Sequence, residues 1–244
     1  MYGWGGVTEE ILQVDGVHTY VSGFHILQGA SFNVKEGSTT AILGRNGVGK
    51  TTLLKTIIGI LKPRRGRIIF KGKDITGLPS HEIINLGISF VAAERAIFGS
   101  LKVEENLRIA FKGRKEDYPT LLEKVFSLFP DLKRLENLKA RNLSGGQQKM
   151  LAIACGIIRK PDLLIMDEPS EGLSPVFVKK VVDIVKELNE EGATVLLVEQ
   201  NFHAFKGIID KCYLMDKGRI AYEADAEELL SRPEIISQYL GVSA

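Results

Sequence analysis

The chain has 244 residues, of which 44% are hydrophobic and 25% charged, and its net charge is +2. This composition is ordinary for a globular protein that buries a core, and so small a net charge gives no argument for nucleic-acid binding. The first residues, MYGWGG, lack a basic segment followed by an apolar one, and no apolar run approaches the roughly 18 residues that span a bilayer. We therefore expect neither a signal peptide nor a transmembrane helix.

The first third of the chain is rich in β-type segments. After a Gly-rich start up to Thr8, which we expect to fray, the runs EILQV, ASFNV and TTAIL are typical of strands. TTAIL is apolar without alternation, which indicates a strand buried on both faces. A helix is predicted over residues 49–61, and GRIIFKG and GISFV predict two further strands.

Residues 93–159 have a different pattern. Helical spacing recurs in VEENLRIAF, LLEKVFSLF and QKMLAIACGII, with almost no strand signal. The sequence therefore predicts an α/β domain over residues 8–244, with a core of residues 8–92 and 160–244 and a helical subdomain of residues 93–159 between them.

After the helical stretch, β/α alternation resumes. DLLIM and ATVLLV predict strands, and the helix between them has Ser174 as N-cap, Pro175 at its first position and Gly192 at its end. CYLMDKGRIAYEA predicts a β-hairpin that turns at Lys217 and Gly218.

The segment GRNGVGKT matches the pattern G-x-x-x-x-G-K-[ST] between an apolar strand and a helix. Such a loop points its N–H groups inward at phosphates, and the start of the helix adds unpaired N–H groups and positive dipole charge. Lysine supplies a mobile charge for the β- and γ-phosphates, and the threonine hydroxyl is a ligand for Mg²⁺. The predicted nucleotide-binding residues here are Gly44, Arg45, Asn46, Gly47, Val48, Gly49, Lys50, Thr51 and Thr52.

An acidic pair, Asp167 and Glu168, follows the apolar strand LLIM. Because successive strand residues face opposite sides, one carboxylate can turn toward Mg²⁺ and the other toward the attacking water. We assign Asp167, with Thr51, to Mg²⁺, and Glu168 to the role of general base or water-orienting group.

A second candidate anion site lies at NLSGGQQ. Ser144 is a plausible N-cap for a helix over residues 145–158, whose first N–H groups the two glycines expose. With GRNGVGKT before it and LLIMDEP after it, this segment resembles the signature of ABC (ATP-binding cassette) ATPases. The resemblance implies a P-loop NTPase (RecA-like) core, a small antiparallel β subdomain and a helical insertion, with ATP and Mg²⁺ as cofactors.

In that family, two cassettes pack head to tail, and each ATP lies between the P-loop of one and the signature of the other. The resemblance therefore implies a reason for two candidate anion sites in one chain. The signature residues implied for the partner's ATP are Leu143, Ser144, Gly145, Gly146 and Gln147.

Four further positions follow from the resemblance alone. Tyr20 resembles the aromatic residue that stacks on adenine. Gln200 occupies the place where many cassettes have a catalytic histidine; it can position a γ-phosphate but takes up no proton. Ala93 stands where the family has a glutamine that contacts the metal and water, with Glu94 as a substitute if the loop shifts by one residue.

DEPSEGLSP, LLVEQN, FSLFPDLKRL and GRNGVGKTTLL together resemble the smaller ATP-binding subunit of branched-chain amino acid importers, the LivF type. Urea importers of the same group are similar. The resemblance implies a second cassette (a copy of this chain or a larger paralogue), two membrane permease subunits docked near residues 93–101, a solute-binding protein acting indirectly, and no nucleic acid. It places the chain in the cytoplasm, peripheral on the inner face of the membrane.

Three other classes of protein are alternatives. A soluble ABC protein of DNA repair or translation has coiled-coil insertions or two fused cassettes, and neither is visible. A P-loop kinase or GTPase lacks the signature. A catalytically silent nucleotide-binding module stays open because of Ala93, and phosphate release from Mg-ATP distinguishes it from an active ATPase.

Overall fold

A computed structural model describes residues 10–93 and 97–241 of the chain. The fraying expected up to Thr8 and the possible substitute Glu94 therefore lie outside the described residues. Within them, two β-sheets and a set of helices form the α/β arrangement that the sequence predicts.

The larger sheet has six strands and lies at the centre of the fold. In spatial order they are β10 (Arg219–Asp225), β9 (Lys211–Asp216), β3 (Thr39–Leu43), β8 (Thr194–Glu199), β7 (Leu163–Asp167) and β6 (Ile88–Val91). All neighbours are parallel except β10, which pairs with β9 in antiparallel fashion. Every residue of β3 and β8 is buried, which confirms that TTAIL is a strand enclosed on both faces.

The smaller sheet is antiparallel. Its order is β2 (Phe24–Lys35), β1 (Glu10–Val21), β4 (Arg65–Phe70) and β5 (Lys73–Asp74). One face of β1 is buried through Val17 and Thr19. The hydroxyl of Thr56 donates to that of Thr19 at 3.1 Å, so this inner face packs on the helix that follows the phosphate loop.

Helices cover the central sheet. They are α1 (Lys50–Ile57), α2 (Ser80–Asn85), α7 (Pro175–Glu190), α8 (Phe202–Phe205), α9 (Ala226–Leu230) and α10 (Pro233–Leu240). Helix α1 ends four residues before the expected position, because the N–H of Ile60 closes back onto the carbonyl of Lys55 at 2.9 Å, with Gly59 in the left-handed region. Among the described helices, none is long and apolar enough to cross a bilayer.

The middle of the chain is helical, as predicted. Its helices are α3 (Val103–Ala110), α4 (Tyr118–Leu128), α5 (Pro130–Arg134) and α6 (Gly145–Ile157), with 3₁₀ turns at Lys115–Asp117 and Ala140–Asn142. Between residues 97 and 159, the described part contains a single isolated β-bridge, Lys102 with Lys139, and no strand. The limits set for this subdomain stay predictions.

Two apolar layers enclose the central sheet. Along β3, Ala41 and Leu43 belong to one layer and Ile42 to the other, as strand alternation requires. Complete burial of a Leu or Ile side chain stabilises the fold by about 1.5–3 kcal/mol. These layers fix the strands, and with them the positions of the polar residues at the strand ends.

The predicted hairpin is present. Strands β9 and β10 pair from Asp216 opposite Arg219, and Lys217 and Gly218 between them both have positive φ, 44° and 77°. Two consecutive left-handed residues are characteristic of a type I′ turn, whose twist matches that of the strands.

Candidate functional site

Three parallel strands end side by side at one edge of the central sheet. Strand β3 ends at Leu43, β7 at Asp167 and β8 at Glu199. Leu43 lies opposite Glu199, and Asp167 lies opposite Val198. Residues that follow these strands in sequence therefore meet in space, at the edge where open α/β sheets bind ligands.

The loop GRNGVG joins β3 to α1 at this edge. Gly49, at its end, has a φ of 110°, which favours glycine and lets the chain turn directly into the helix. The N–H of Gly218 donates to the carbonyl of Val48 at 2.9 Å, so the β9–β10 hairpin braces the loop. The first N–H groups of α1 have no partner within the helix and are available to an anion.

A pocket lies beside this loop. Its lining residues are Ile26, Asn46, Gly47, Gly49, Lys50, Thr51, Thr52 and Glu168. Most residues predicted to bind nucleotide from the loop thus share one cavity with the predicted base. Arg45 lies apart from this lining, and its guanidinium donates to the carbonyl of Gln238 at 3.2 Å.

The side chain of Lys50 is buried inside the loop. Its Nζ donates to the carbonyl of Gly44 at 2.8 Å and to that of Arg45 at 3.1 Å. The same nitrogen lies 3.4 Å from Oδ1 of Asn46 and 3.1 Å from Oε1 of Glu168. The ammonium is therefore held at the centre of the cavity, between the loop and the acidic pair.

Thr51 and Asp167 form the second contact between the loop and β7. The hydroxyl of Thr51 donates to Oδ1 of Asp167 at 3.3 Å. Burial raises the pKa of Asp167 above its usual value, while the Thr51 hydrogen bond acts in the opposite direction. These two hard oxygen donors fit Mg²⁺, which takes one or two protein ligands and completes its shell with water and phosphate oxygens.

Glu168 faces the cavity because of a backbone bend, and not because of the strand alternation that the sequence analysis expected. Strand β7 ends at Asp167, and Glu168 has a φ of 45°, in the left-handed region. The separation of the two carboxylates therefore arises from a bend after the strand rather than from strand alternation. As a result, Asp167 faces Thr51 and Glu168 faces Lys50.

Gln200 shares a second cavity with Glu168. A second pocket, which shares Asn46 and Glu168 with the first, is also lined by Ser170, Glu171, Glu199, Gln200, Asn201, Phe202 and His203. The tertiary fold therefore brings Gln200 and Glu168 to one cavity, although the two residues follow different strands.

Glu199 is a site residue that the sequence analysis missed. It is buried, and its carboxylate accepts from the N–H of Ser170 at 2.8 Å and from the hydroxyl of Ser170 at 2.9 Å. The N–H groups of Gln200 and Asn201 point at the same carboxylate, at 3.3 and 3.5 Å. Burial raises the pKa of Glu199, and these donors oppose that rise. Through these hydrogen bonds, Glu199 connects Ser170, in the segment after Glu168, with the backbone of Gln200 and Asn201.

The ring of Tyr20, predicted to stack on adenine, has two neighbours in the structure. The imidazole of His25 stacks on its ring at 4.3 Å, and the guanidinium of Arg64 lies 4.2 Å from the ring centroid. Tyr20 is on the opposite face of β1 from Thr19, which packs on α1, and it does not line either pocket described above. Adenine stacking on Tyr20 would require one of these partners to leave.

The inner face of the same hairpin presents another aromatic residue. Phe24 pairs with Val21, next to Thr19 on the side that covers α1, and its side chain is 72% exposed. Ile26, two residues further along β2, lines the P-loop pocket. No sequence motif marked Phe24, because only the pairing register shows which face it occupies.

The signature segment forms the N-terminus of α6. Ser144 caps this helix: its hydroxyl accepts from the N–H of Gln147 at 3.3 Å, and the Gln147 side chain accepts from the N–H of Ser144 at 2.9 Å. Apart from its neighbours in the chain and the backbone of its own helix, no atom of the described residues would lie within 4 Å of a Cβ at Gly145. In the described part of the chain, residues 143–147 line neither of the two pockets at the P-loop. The second candidate anion site is therefore separate from the P-loop pocket within one subunit.

Ala93 lies just beyond β6 and is half-buried. Its side chain has no polar atom, but its carbonyl accepts from Nζ of Lys149 at 3.1 Å. Gln148, the neighbour of that lysine, donates to the carbonyls of Ala140 and Leu143 at 3.1 and 3.2 Å and thereby fixes the approach to the signature.

Comparison with known proteins agrees with this geometry. Residues 27–171 match the model of the ABC transporter family. The high-affinity branched-chain amino acid transport ATP-binding protein BraG of Pseudomonas aeruginosa is 39% identical, over 95% of this chain and 100% of the relative. The probable branched-chain amino acid transport ATP-binding protein LivF of Archaeoglobus fulgidus is 38% identical, over 89% and 93%.

Solved structures give the same result. A crystal structure of an ATP-binding cassette of an ABC transporter in its ADP conformation is 31% identical, with a TM-score of 0.82 over 96% of this chain and 100% of that one. A dimeric structure of a bacterial ABC transporter cassette is 26% identical, with a TM-score of 0.78 over 88% and 98%.

Proposed function

This chain belongs to the ABC transporter family and is an ATPase of that family, and from that premise we propose how its residues bind and hydrolyse Mg-ATP. The observation that supports the proposal most strongly is the meeting of Lys50, Thr51, Asp167, Glu168 and Gln200 at one edge of the sheet.

The phosphate loop binds the triphosphate. Main-chain N–H groups of residues 44–52 surround the phosphates, and the ammonium of Lys50 turns from the loop carbonyls to the β- and γ-phosphates. This movement releases Glu168 from its contact with Lys50. Phosphate binding and freeing of the base are therefore linked through one side chain.

Thr51 and Asp167 are the residues that would hold Mg²⁺. When bound, the metal would neutralise the negative charge that develops on the phosphates. Asp167 is suited to this role because its burial disfavours an unpaired negative charge, which a cation would offset.

Glu168 orients the attacking water and accepts its proton. Its carboxylate is mostly shielded from solvent, at 16% side-chain exposure, and shares a cavity with Gln200. The Gln200 amide donates a hydrogen bond to the γ-phosphate or water, while Glu199 holds its backbone in place. Gln200 is thus a positioning group, not a proton shuttle.

Two cassettes act together. Ser144, Gly145 and Gly146 are separate from the P-loop of their own subunit, and Gly145 is open to an approaching group. We infer that this helix start binds the γ-phosphate of ATP held by a second cassette, either another copy or a larger paralogue. The dimeric cassette among the similar structures supports this arrangement.

We propose transport of branched-chain amino acids as the task that this ATPase powers, because relatives that match over nearly the whole chain are described as branched-chain amino acid transport proteins. Two membrane subunits would dock beside the helical subdomain, near residues 93–101, and place the chain on the inner face of the membrane. A solute-binding protein acts on it only through them.

Hydrolysis and dimerisation test the site together. Wild type should release phosphate from Mg-ATP, and Glu168→Gln should reduce turnover by roughly a hundredfold or more while still binding ATP. Gel filtration of Glu168→Gln with ATP should show a dimer, and with ADP a monomer. A wild type no faster than the variant would support the silent-module alternative instead.

The solute needs a separate experiment. The cassettes, reconstituted with their membrane subunits and loaded solute-binding protein, should be stimulated by leucine and not by urea. Stimulation by urea alone would reassign the importer but leave the ATPase site unchanged.

A further inference from the structure

Lys149 lies at the junction of three segments near the catalytic centre. It belongs to the second turn of α6 and is half-buried. Its Nζ is 3.1 Å from the carbonyl of Ala93, in the loop after β6, and 3.1 Å from the carbonyl of Glu168, after β7. One ammonium therefore joins the signature helix, the Ala93 loop and the backbone of the proposed base.

The surroundings of Lys149 are acidic. Burial lowers its pKa, and the carboxylates of Glu199, Glu171, Asp167 and Glu168 act against that fall. In the described part of the chain, its hydrogen bonds go to main-chain carbonyls and not to these carboxylates. The ammonium thus balances the negative charge of the site while leaving the carboxylate oxygens free to act.

Both peptide groups of Glu168 are held. Its N–H donates to the carbonyl of Val198 at 2.9 Å, and its own carbonyl accepts from Lys149 and from the N–H of Glu171, each at 3.1 Å. Between these two bonds Glu168 has a left-handed backbone, which a residue with a side chain adopts only when its surroundings impose it. That backbone directs the carboxylate toward Lys50. Loss of the Lys149 bond would leave the N–H of Glu171 as the remaining donor to this carbonyl in the described part of the chain, and would loosen the hold on the Glu168 backbone.

Helix α6 also begins at the other proposed phosphate site. Gly145 and Lys149 are four residues apart, about 6 Å along the helix axis. A helix moves as a rigid unit over this length, so a displacement of its N-terminus displaces Lys149 by the same distance. The Ala93 loop, where glutamine is absent, is bound to the same ammonium.

We propose that Lys149 is a positioning residue that couples the two nucleotide sites, so that a γ-phosphate bound at the signature of this subunit sets the backbone of Glu168 at its own ATP. The inference rests on the proposed head-to-tail dimer. The first two turns of α6, with Gly145 at the proposed phosphate site and Lys149 bonded to the Glu168 backbone, are the element that both sites bias, as coupling between sites requires.

The test compares Lys149→Met, which keeps the length of the side chain and removes its donors, with Lys149→Arg, which retains donors and charge. Lys186→Met, on the exposed side of α7, is the matched control. For each protein, kcat, the Hill coefficient for ATP, the Kd for ATP and the Tm are measured. Nucleotide-driven dimerisation is followed in a Glu168→Gln background.

Lys149→Met should lower kcat by roughly ten- to a hundredfold, the range expected for loss of a charge-assisted hydrogen bond. Its Kd for ATP should stay within about twofold of wild type, since the phosphate loop is untouched. The Hill coefficient should fall toward one, and Lys149→Arg should restore most of both values.

Wild-type kcat and cooperativity in Lys149→Met would overturn the inference. So would a loss accompanied by a lower Tm and weaker ATP binding, with no recovery in Lys149→Arg, because that pattern describes a residue needed only for folding. If wild type does not hydrolyse ATP and the Glu168→Gln variant does not dimerise with ATP, the proposed function is wrong. This inference is then wrong with it.

Discussion

The Nζ of Lys50 lies 3.1 Å from Oε1 of Glu168, and both side chains are largely shielded from solvent. The lysine belongs to the loop after β3 and the glutamate to the bend after β7. A single contact therefore pairs the group that binds phosphate with the group that activates water. Four predictions test this site and its supports.

Replacing Lys50 by alanine should weaken ATP binding by about ten- to a hundredfold, because charged hydrogen bonds to the phosphates are lost. Titration calorimetry with Mg-ATP measures this change. Lys55→Ala, on the exposed side of the same helix, is the control and should bind as wild type does. Equal affinity of Lys50→Ala and Lys55→Ala would show that the triphosphate does not contact Lys50.

Phe24 and Tyr20 lie on opposite faces of one hairpin, and truncating each in turn identifies the face that holds the base. We expect Phe24→Ala to weaken ATP binding by about tenfold, since stacking on a base contributes about 1–3 kcal/mol. Its affinity for inorganic tripolyphosphate, which has no base, should not change. Tyr20→Ala should affect neither ligand. The reverse pattern would return the adenine contact to Tyr20 and require His25 or Arg64 to move.

Ala93→Gln should raise the rate of ATP hydrolysis, because an amide at this position can contact the metal or hold a water, whereas a methyl group can do neither. Phosphate release at saturating Mg-ATP measures the effect. Ala93→Leu adds bulk without polarity and should not raise the rate. Unchanged turnover in Ala93→Gln would show that the side chain at position 93 does not contribute to ATP hydrolysis in this chain.

Glu199→Gln should change how stability depends on pH. Burial raises the pKa of Glu199 in the folded state above the ordinary value of 4.5, so the folded state holds this proton more tightly than the unfolded state does. Wild type should therefore lose stability relative to Glu199→Gln as the pH rises from below 4.5 through the folded-state pKa.

Urea unfolding of both proteins over this pH range gives the comparison, and the exposed substitution Glu187→Gln serves as the control. The test is how the difference in free energy of unfolding between wild type and Glu199→Gln changes with pH. The absolute difference is not tested, because replacing the carboxylate by an amide also changes the bonds to Ser170 by an amount that does not depend on pH. A difference that does not vary with pH, or that grows in favour of wild type, would contradict the prediction.

Much of the fold follows from the sequence because its causes are local. The apolar run TTAIL, the turn at Lys217 and Gly218 and the cap at Ser144 each depend on a few neighbouring residues. The phosphate loop was identified for the same reason, since its shape is set by glycines within one short segment. The helix predicted over residues 49–61 was too long. The residue at which α1 ends depends on the packing of Gly59 against a segment that follows it in the sequence.

The contacts of Glu199 and Lys149 and the strand face of Phe24 could not be predicted from the sequence, for a different reason. Each depends on partners distant in sequence: Ser170 for Glu199, Ala93 for Lys149 and the strand register with Val21 for Phe24. A lone glutamate after a strand or a lysine on a helix has no pattern of its own. The adenine contact of Tyr20 stays a prediction, because a motif position does not indicate which face of a strand a residue occupies.

The sequence by itself determined that this chain forms a phosphate loop, an acidic strand end and a capped signature helix, since short-range geometry suffices for each. Only the tertiary structure decided that Lys50 contacts Glu168, that Glu168 bends out of its strand, and that Lys149 joins it to Ala93. Those contacts arise when parallel strands pack side by side and bring their ends to one edge, and no local segment specifies that packing.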